Sequence, residues 1–272
     1  MIYVGLPQWS HPKWVRLGIT SLEDYARHFN CVEGNTTLYA LPKVETVLRW
    51  REMTGDDFRF CFKFPATISH NAALRQCGDL TTEFLERMSP LANRIGQYWL
   101  QLPASFGPSD LSALWNFLDS LPKDFSYGVE VRHPFFFNKS ADEQALNRGL
   151  YERGVNRVIL DSRPVHSAKP DNEAIREAQR KKPKVPVHAL VTAHNPLVRF
   201  IGSDDMQQNK ALFDVWLKTL PKWEQNSTPY LFLHTPDIGH VQDLVHTLWP
   251  SLQLAFPALG NEPAIPKQNS LF

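Results

Sequence analysis

The sequence predicts an α/β protein whose strands close into a barrel. Eight apolar, strand-like runs alternate with segments of helical period along nearly the whole chain of 272 residues. Strands interleaved with helices are typical of parallel βαβ units. No G-x-G-x-x-G motif follows the first run, which disfavours an open nucleotide-binding sheet. Eight units in a chain of this length therefore favour a single TIM-type (β/α)₈ barrel.

The predicted strands are short and several of them stop at a proline or glycine. They cover residues 2–6, 31–36, 58–64, 98–102, 127–132, 157–161, 197–202 and 230–234. Most are followed by apolar residues spaced by three and four, such as Leu111, Leu114 and Leu118. This spacing indicates helices with one buried face.

One connection is irregular. Between the sixth and seventh strands lies an insert, about residues 162–195, with a basic helical stretch and an extra extended run at 187–192. We expect a single barrel domain over residues 1–256. Residues 257–272 contain three prolines and are expected to form a C-terminal tail.

Composition and charge limit the function. The chain is 43% hydrophobic, and its 29 basic residues nearly balance its 28 acidic ones. This excludes a disordered chain and disfavours a surface that is basic throughout, such as a general nucleic-acid or membrane binder. No signal segment and no apolar run of roughly 18 residues is seen, so a cytoplasmic protein that does not contact a membrane is expected. The three cysteines fit no disulfide or zinc pattern, and oligomeric state is left open.

Alternation along the strands predicts which side chains enter the barrel. In the third strand, Phe60, Phe62 and Phe64 read as the outer face, so Lys63 points inward. The same argument makes these polar residues inward: Glu33, Asn35, Lys63, Gln101, Glu130, Arg132, Asp161, Arg199 and His234. Nearly all lie at the carboxyl end of a strand, where barrel enzymes carry their active sites.

Three cations and three anions therefore converge on one mouth. A self-neutralising ion network is the structural alternative, but burying charge stabilises a fold poorly, and a ligand site is favoured.

The first chemical interpretation is hydrolysis by two carboxylates. Glu33 and Glu130 supply the general acid and the base or nucleophile, with Lys63 or Arg132 holding one of them ionised. The predicted catalytic residues are Glu33, Glu130, Lys63 and Asp161. The aromatic side chains of Trp9 and Tyr39 stack on a sugar or base, or simply pack under loops.

The second interpretation is recognition of a small anion by Lys63, Arg132 and Arg199. Gly202 opens the loop after the seventh strand and Gly239 follows the eighth, the two loops with which barrels often bind phosphate. The predicted substrate-binding residues are Trp9, Asn35, Tyr39, Gln101, Arg132, His133, Arg199, Gly202 and His234. A phosphorylated or sugar-like substrate is expected, and a barrel that binds a small anion without turnover remains an alternative.

A nucleic-acid partner is the third possibility. Residues 169–184, which begin at Lys169 and end at Lys184, hold six basic residues against three acidic ones. Such an arm suits a phosphate backbone, whereas a solvated loop is the alternative.

A divalent metal is the weakest possibility. Glu33, Glu130, His133, Asp161 and His234 have suitable ligand atoms, but no H-x-x-E, H-E-x-x-H or H-x-H pattern is present. No residue is therefore assigned as a metal ligand, and the cofactor is unknown.

Several motifs lie at the predicted strand ends. They are QWS at 8–10, VEGNTTLY at 32–39, FCFKFP at 60–65, LQLPASF at 100–106, VEVRHP at 129–134 and VRFIG at 198–202. Together they resemble the YecE-like family, domain-of-unknown-function family 72, over about residues 2–249. The resemblance implies a TIM-type barrel without an established activity, and by analogy alone a likeness to apurinic endonuclease barrels. The FLHTPD ending of the eighth strand and the three phenylalanines after His133-Pro134 depart from the family pattern.

Overall fold

The computed structural model describes residues 1–260 and 262–263, and within them nine strands form one parallel sheet. The strands are β1 (Tyr3–Leu6), β2 (Cys31–Gly34), β3 (Arg59–Lys63), β4 (Ile95–Gln101), β5 (Tyr127–Glu130), β6 (Asn156–Arg157), β7 (Ile159–Asp161), β8 (Leu197–Ile201) and β9 (Tyr230–His234). Their order is β6-β5-β4-β3-β2-β1-β9-β8-β7, so β1 lies between β2 and β9.

The sheet closes through its sixth predicted strand. β6 and β7 are two pieces of that strand, separated only by Val158. β6 pairs with β5 and β7 pairs with β8, while the Val158 amide donates a hydrogen bond to the Val129 carbonyl at 2.9 Å. The two ends of the strand order are thus one continuous segment of chain. The predicted α/β barrel of TIM type is confirmed.

Helices surround the barrel. They are α1 (Leu22–Ala26), α2 (Thr36–Tyr39), α3 (Val44–Glu52), α4 (Gly78–Met88), α5 (Leu111–Ser120), α6 (Ala141–Glu152), α7 (Arg163–Ser167), α8 (Glu173–Lys181), α9 (Met206–Glu224) and α10 (Val241–Ala255). Short 3₁₀ turns and one π-helical turn connect several of them. No helix within the described part of the chain is long and apolar enough to cross a membrane.

The side chains divide as the alternation predicts. Phe60, Phe62 and Val129 belong to the large apolar core between strands and helices. A second buried cluster fills the barrel interior and consists of Tyr3, Cys31, Cys61, Trp99, Val158, Leu197, Tyr230 and Phe232. This apolar cluster lies inside the barrel, on the amino-terminal side of the polar residues at the strand ends.

The insert covers part of the mouth. Val165 of α7 and Ala178 of α8 pack with Leu160 and Ile201 at the tops of β7 and β8. The extra extended run expected at 187–192 does not form a strand of the sheet. Instead, the Thr192 hydroxyl donates to one backbone group of the sixth-strand region and accepts from another, so a side chain replaces a strand ladder there.

The predicted tail is described only in part. Pro257–Leu259 form a 3₁₀ turn, and Glu262 contacts His246 of α10. Residues 261 and 264–272 lie outside the described residues. The division into a barrel domain and a tail stays a prediction.

Closure brings the backbones of β1 and β2 close together at Gly5. A Cβ atom at this position would lie 2.1 Å from the Cys31 carbonyl oxygen. We therefore expect Gly5→Ala to lower the free energy of unfolding by about 3 kcal/mol, because backbone must move to accept the methyl group. Urea titration measures this change. Gly55→Ala is the control, since nothing lies within 4 Å of its Cβ position. Equal stability of the two variants would contradict the close approach.

Candidate active site at the barrel mouth

Arg199 is the centre of the polar cluster at the carboxyl ends of the strands. Its Nε and Nη2 atoms donate to the two oxygens of Glu33 at 3.0 and 2.9 Å. Its Nη1 atom donates to Glu130 Oε2 at 2.6 Å. All three side chains are at most 1% exposed. One guanidinium on β8 thus joins a carboxylate on β2 to a carboxylate on β5.

Both carboxylates are held ionised. Burial alone would raise the pKa of Glu33, but Arg199, His234 and Lys63 hold it well below its usual range. Burial opposes ionisation of Glu130 as well, yet Arg199 and Arg132 lower its pKa to about 2. The two-carboxylate interpretation requires one carboxyl group that stays protonated as the acid and one that is ionised as the base. Because both carboxyl groups are held ionised, the pair does not fit that interpretation.

Lys63 lies beside this pair at the end of β3. Its Nζ atom donates to Gln101 Oε1 at 2.8 Å and lies 3.4 Å from Glu33 Oε1. It also sits 4.6 Å from the centre of the Trp99 ring, over which the Arg199 guanidinium packs at 5.1 Å. Burial, together with the nearby charge of Arg199, lowers the pKa of Lys63 to about 7. Its amine therefore changes charge near neutral pH.

His234 and Arg132 complete the predicted cluster. His234 Nε2 lies 2.9 Å from Glu33 Oε2. Burial lowers the pKa of His234 to about 4, so the ring is neutral and donates Nε2–H to the ionised carboxylate. Arg132 donates through Nε and Nη2 to Glu130 Oε1 at 2.9 and 2.8 Å.

A lysine from the insert, which no sequence pattern indicated, joins the mouth. Lys182 follows α8, and burial together with Arg199 lowers its pKa to about 8, while Glu33 and Glu130 act in the opposite direction. Among the described residues its ammonium has no hydrogen-bond or ion-pair partner. Its backbone carbonyl is held by His166 Nε2 at 3.0 Å. The insert therefore presents an unpaired cation to the site.

Lys182 lines a cavity of about 220 Å³ between the insert and the strand ends. The other walls are Pro7, Gln8, Ala174, Glu177, Ala178, Lys181, Ile201, His234, Thr235, Pro236 and Ile238. Cavities of this size accept a small molecule rather than a polymer. His234 of the polar cluster and Lys182 of the insert thus border the same small cavity.

The loop after β3 is strained beside the cluster. It begins with a π-helical turn, Thr67–Asn71, and then holds Ala73, Leu74 and Gln76 at positive φ. Such backbone concentrates at functional sites. The turn carries His70, whose pKa is lowered by burial and by the charges of Arg132 and Lys63. No sequence signal identified this histidine.

The predicted inward orientation of Asp161 was wrong. Its carboxylate accepts a hydrogen bond from Trp216 Nε1 at 2.8 Å and pairs with Arg163 at 2.7 Å. Trp216 belongs to α9 and to the core outside the barrel, so Asp161 faces the helix layer. The mouth therefore holds two anions instead of three, Glu33 and Glu130.

Several predicted binding residues lie apart from the cluster. His133 accepts from the Phe135 amide at 3.3 Å and caps a 3₁₀ turn. Tyr39 is 83% exposed on α2, beside a separate surface groove of about 450 Å³. Trp9 packs edge-on against Trp50, with ring centres 5.2 Å apart.

Asn35 and Gly202 have structural partners. Asn35 donates to the Pro7 carbonyl at 2.8 Å, and its buried Oδ1 atom has no partner within residues 1–260 and 262–263. The Gly202 amide donates to the His234 carbonyl at 2.8 Å, and the Gly239 amide donates to Asp237. These two amides are therefore not free to bind the expected phosphate.

The residues that have suitable ligand atoms for a divalent metal do not assemble. Glu33 and His234 are adjacent, but His133 and Asp161 have the other partners described above. Within the described part of the chain, no group of three or more His, Cys, Asp or Glu side chains has the geometry for a metal ion.

The fold and the strand-end motifs define a class of barrel protein. The chain belongs to the family described as protein of unknown function DUF72, whose model matches residues 3–270. It is 76% identical to the UPF0759 protein YecE of Escherichia coli K12 over 272 residues, which is 100% of both chains. The protein of the same description from Escherichia coli O157:H7 is also 76% identical over its full length.

Solved structures support the fold. A DUF72 family protein from Enterococcus faecalis V583 superimposes with a TM-score of 0.70 at 20% identity, covering 98% of this chain and 99% of that chain. One from Thermotoga maritima MSB8 gives a TM-score of 0.69 at 18% identity, covering 93% and 99%.

The central guanidinium yields a stability prediction. Arg199→Met leaves Glu33 and Glu130 buried without their shared partner, so the free energy of unfolding falls by about 3–5 kcal/mol at pH 7. Adding Glu33→Gln and Glu130→Gln to that variant restores part of the loss, because the buried charges are gone. Chemical denaturation measures both effects. Arg180→Met, at an exposed position on α8, is the control and changes stability little. A loss that the neutralising substitutions leave unchanged would contradict this account.

Proposed function

We propose that this protein binds and acts on a small anionic substrate, phosphorylated or sugar-like, at the carboxyl-end mouth of the barrel. The observation that carries the proposal is an excess of positive charge there. When both lysines are protonated, the mouth holds four cations, Lys63, Arg132, Arg199 and Lys182. These outnumber the carboxylates of Glu33 and Glu130 by two. A buried charged side chain must be paired with an opposite charge or bind a ligand. An anion with two negative charges balances this site.

Lys182 is the first candidate to contact that anion. The two carboxylates already accept from Arg199, Arg132 and His234, so they offer this ammonium no close partner. Lys182 also borders the cavity of about 220 Å³, which has room for a phosphate group and a short carbon chain. The substrate's anionic group is thus assigned to the part of the cavity that Lys182 borders.

The acid-base role passes from the carboxylates to Lys63. A general acid or base works best when its pKa is near the working pH, and the pKa of Lys63 is about 7. Glu33 and Glu130 then hold and orient the cations. Hydrolysis remains a proposal for the reaction type, with Lys63 moving the proton. A barrel that binds the anion without turnover is the alternative, and product formation from a bound ligand separates the two.

A nucleic-acid partner at residues 169–184 is less well supported. Arg176 and Lys181 pair with Glu173 and Glu177 on α8, and Lys182 faces the mouth. The arm therefore offers fewer free cations to a phosphate backbone than its sequence suggests. Tight binding of duplex or single-stranded DNA or RNA at low salt, competing with phosphate, would favour this partner over a small anion.

The cytoplasmic location also stays a proposal. Three free and buried cysteines are compatible with a reducing compartment.

The proposal predicts the effect of removing the unpaired charge. Inorganic phosphate binds to the wild type, and Lys182→Met weakens that binding about tenfold, the loss expected for one charge-assisted hydrogen bond. Calorimetric titration at pH 7 and low salt measures the dissociation constants. Lys184→Met is the control, because that lysine is exposed and outside the cavity wall. Equal affinity in both variants, or no phosphate binding by the wild type, would refute the proposed site.

Anion binding should also take up protons. The pKa values of Lys63 and Lys182 are about 7 and about 8, and a bound anion raises both by favouring the charged amines. Affinity for sulfate, whose own charge is constant in this range, therefore falls as pH rises from 6.5 to 9. Titration at pH 7.5 in two buffers of different ionisation enthalpy gives the proton count. Affinity independent of pH with no proton uptake would contradict the assignment.

A further inference from the structure

The environment of Lys63 is unusual for a lysine that only stabilises a fold. Its side chain is 4% exposed and lies at the end of β3 against the face of Trp99. Among the described residues, the one close hydrogen bond of its Nζ atom goes to the neutral amide oxygen of Gln101, at 2.8 Å. An ammonium kept for structure would be expected to have a close carboxylate instead.

Glu33 is a poor partner for this lysine because other donors already occupy it. Its oxygens accept from Arg199 at 2.9 and 3.0 Å and from His234 at 2.9 Å, whereas Lys63 approaches only to 3.4 Å. The positive charges of Arg199 and Lys182 further disfavour protonation of Lys63. Burial and these charges outweigh the opposing effect of Glu33 and Glu130 and lower the pKa of Lys63 to about 7. A substantial fraction of the amine is then neutral at pH 7, and the neutral amine is the nucleophilic form of lysine.

We propose that Lys63 Nζ forms an imine with the carbonyl carbon of a small aldehyde or ketone that carries a phosphate group. This inference rests on the proposed function, since Lys182 and the other cations at the mouth hold the phosphate. It narrows the substrate class to phosphorylated carbonyl compounds. It also makes Lys63 a covalent catalytic residue.

The step balances without a co-reactant. The Lys63 ammonium loses a proton, and its nitrogen adds to the carbonyl carbon, forming a C–N bond and a carbinolamine. The C–O bond then breaks, and the oxygen leaves as water after taking up one proton from the nitrogen and one from solvent, which had received the proton that the ammonium lost. The product is a protonated iminium, so the positive charge of the ammonium is conserved. Glu33, 3.4 Å from the nitrogen in the free protein, lies where it stabilises that charge.

Reductive trapping tests the imine directly. Wild-type protein is incubated with glyceraldehyde 3-phosphate and sodium cyanoborohydride at pH 7, and adducts are located by peptide mass mapping. Hydride reduction of an imine leaves a stable secondary amine on the lysine that formed it. We expect Lys63 to be modified at least tenfold faster than the exposed Lys184, and excess inorganic phosphate to suppress the reaction.

Controls keep the two proposals separate. Lys63→Met should lose the rapid adduct while Lys184→Met retains it, and mapping of the wild type identifies the site even if Lys63→Met fails to fold. Phosphate binding without preferential modification of Lys63 would overturn the imine and leave the proposed function standing. Neither binding nor modification would overturn both. Rapid modification of Lys63 that phosphate does not suppress would contradict both the anion site and the phosphorylated substrate class, and would show a reactive amine only.

Discussion

The Arg199 guanidinium, shared by Glu33 and Glu130, is the interaction on which the mouth of this barrel depends. It ties β2, β5 and β8 together at their carboxyl ends, across the barrel rather than between neighbouring strands. The cost of removing these charges from water is offset only because every oxygen of the two carboxylates has a donor. The Trp99 ring packs against the guanidinium and lies between it and the rest of the apolar cluster inside the barrel.

This arrangement leaves the remaining cations of the mouth short of carboxylate partners. The oxygens of Glu33 accept from Arg199 and His234, and those of Glu130 accept from Arg132 and Arg199. Lys63 therefore approaches Glu33 only to 3.4 Å, and Lys182 has no carboxylate partner among the described residues. Both amines therefore have pKa values near neutrality, about 7 and about 8. A site of this kind changes its charge in response to an anion. It resembles a binding and proton-transfer site more than a structural ion network.

Much of the fold and of the central cluster was predictable from sequence. Alternation works where a strand has an unbroken apolar outer face, as with Phe60 and Phe62 flanking Cys61, and it correctly turned Lys63 and Arg199 inward. Alternation failed at Asp161, because the two preceding residues, Ile159 and Leu160, are both apolar and do not show which of them faces the helices. The same alternation indicates Trp99, two residues before Gln101, as part of the site.

The insert was beyond sequence reasoning. Its basic composition indicated a solvated arm, but α8 packs through Ile175 and Ala178 and turns Lys182 toward the strand ends. No periodic rule describes which side chain of a connecting segment reaches a distant site. Gly202 shows the opposite difficulty: a motif expected to bind phosphate uses its amide to hold the end of β9.

The central claim is that the unpaired cations at the mouth hold a small dianion. A crystal structure of the protein soaked with tungstate, a phosphate-shaped anion that scatters X-rays strongly, tests it most directly. The account predicts the tungsten peak inside the cavity, within hydrogen-bonding reach of Lys182. Peaks confined to exposed lysines such as Lys184, with none in the cavity, would contradict it.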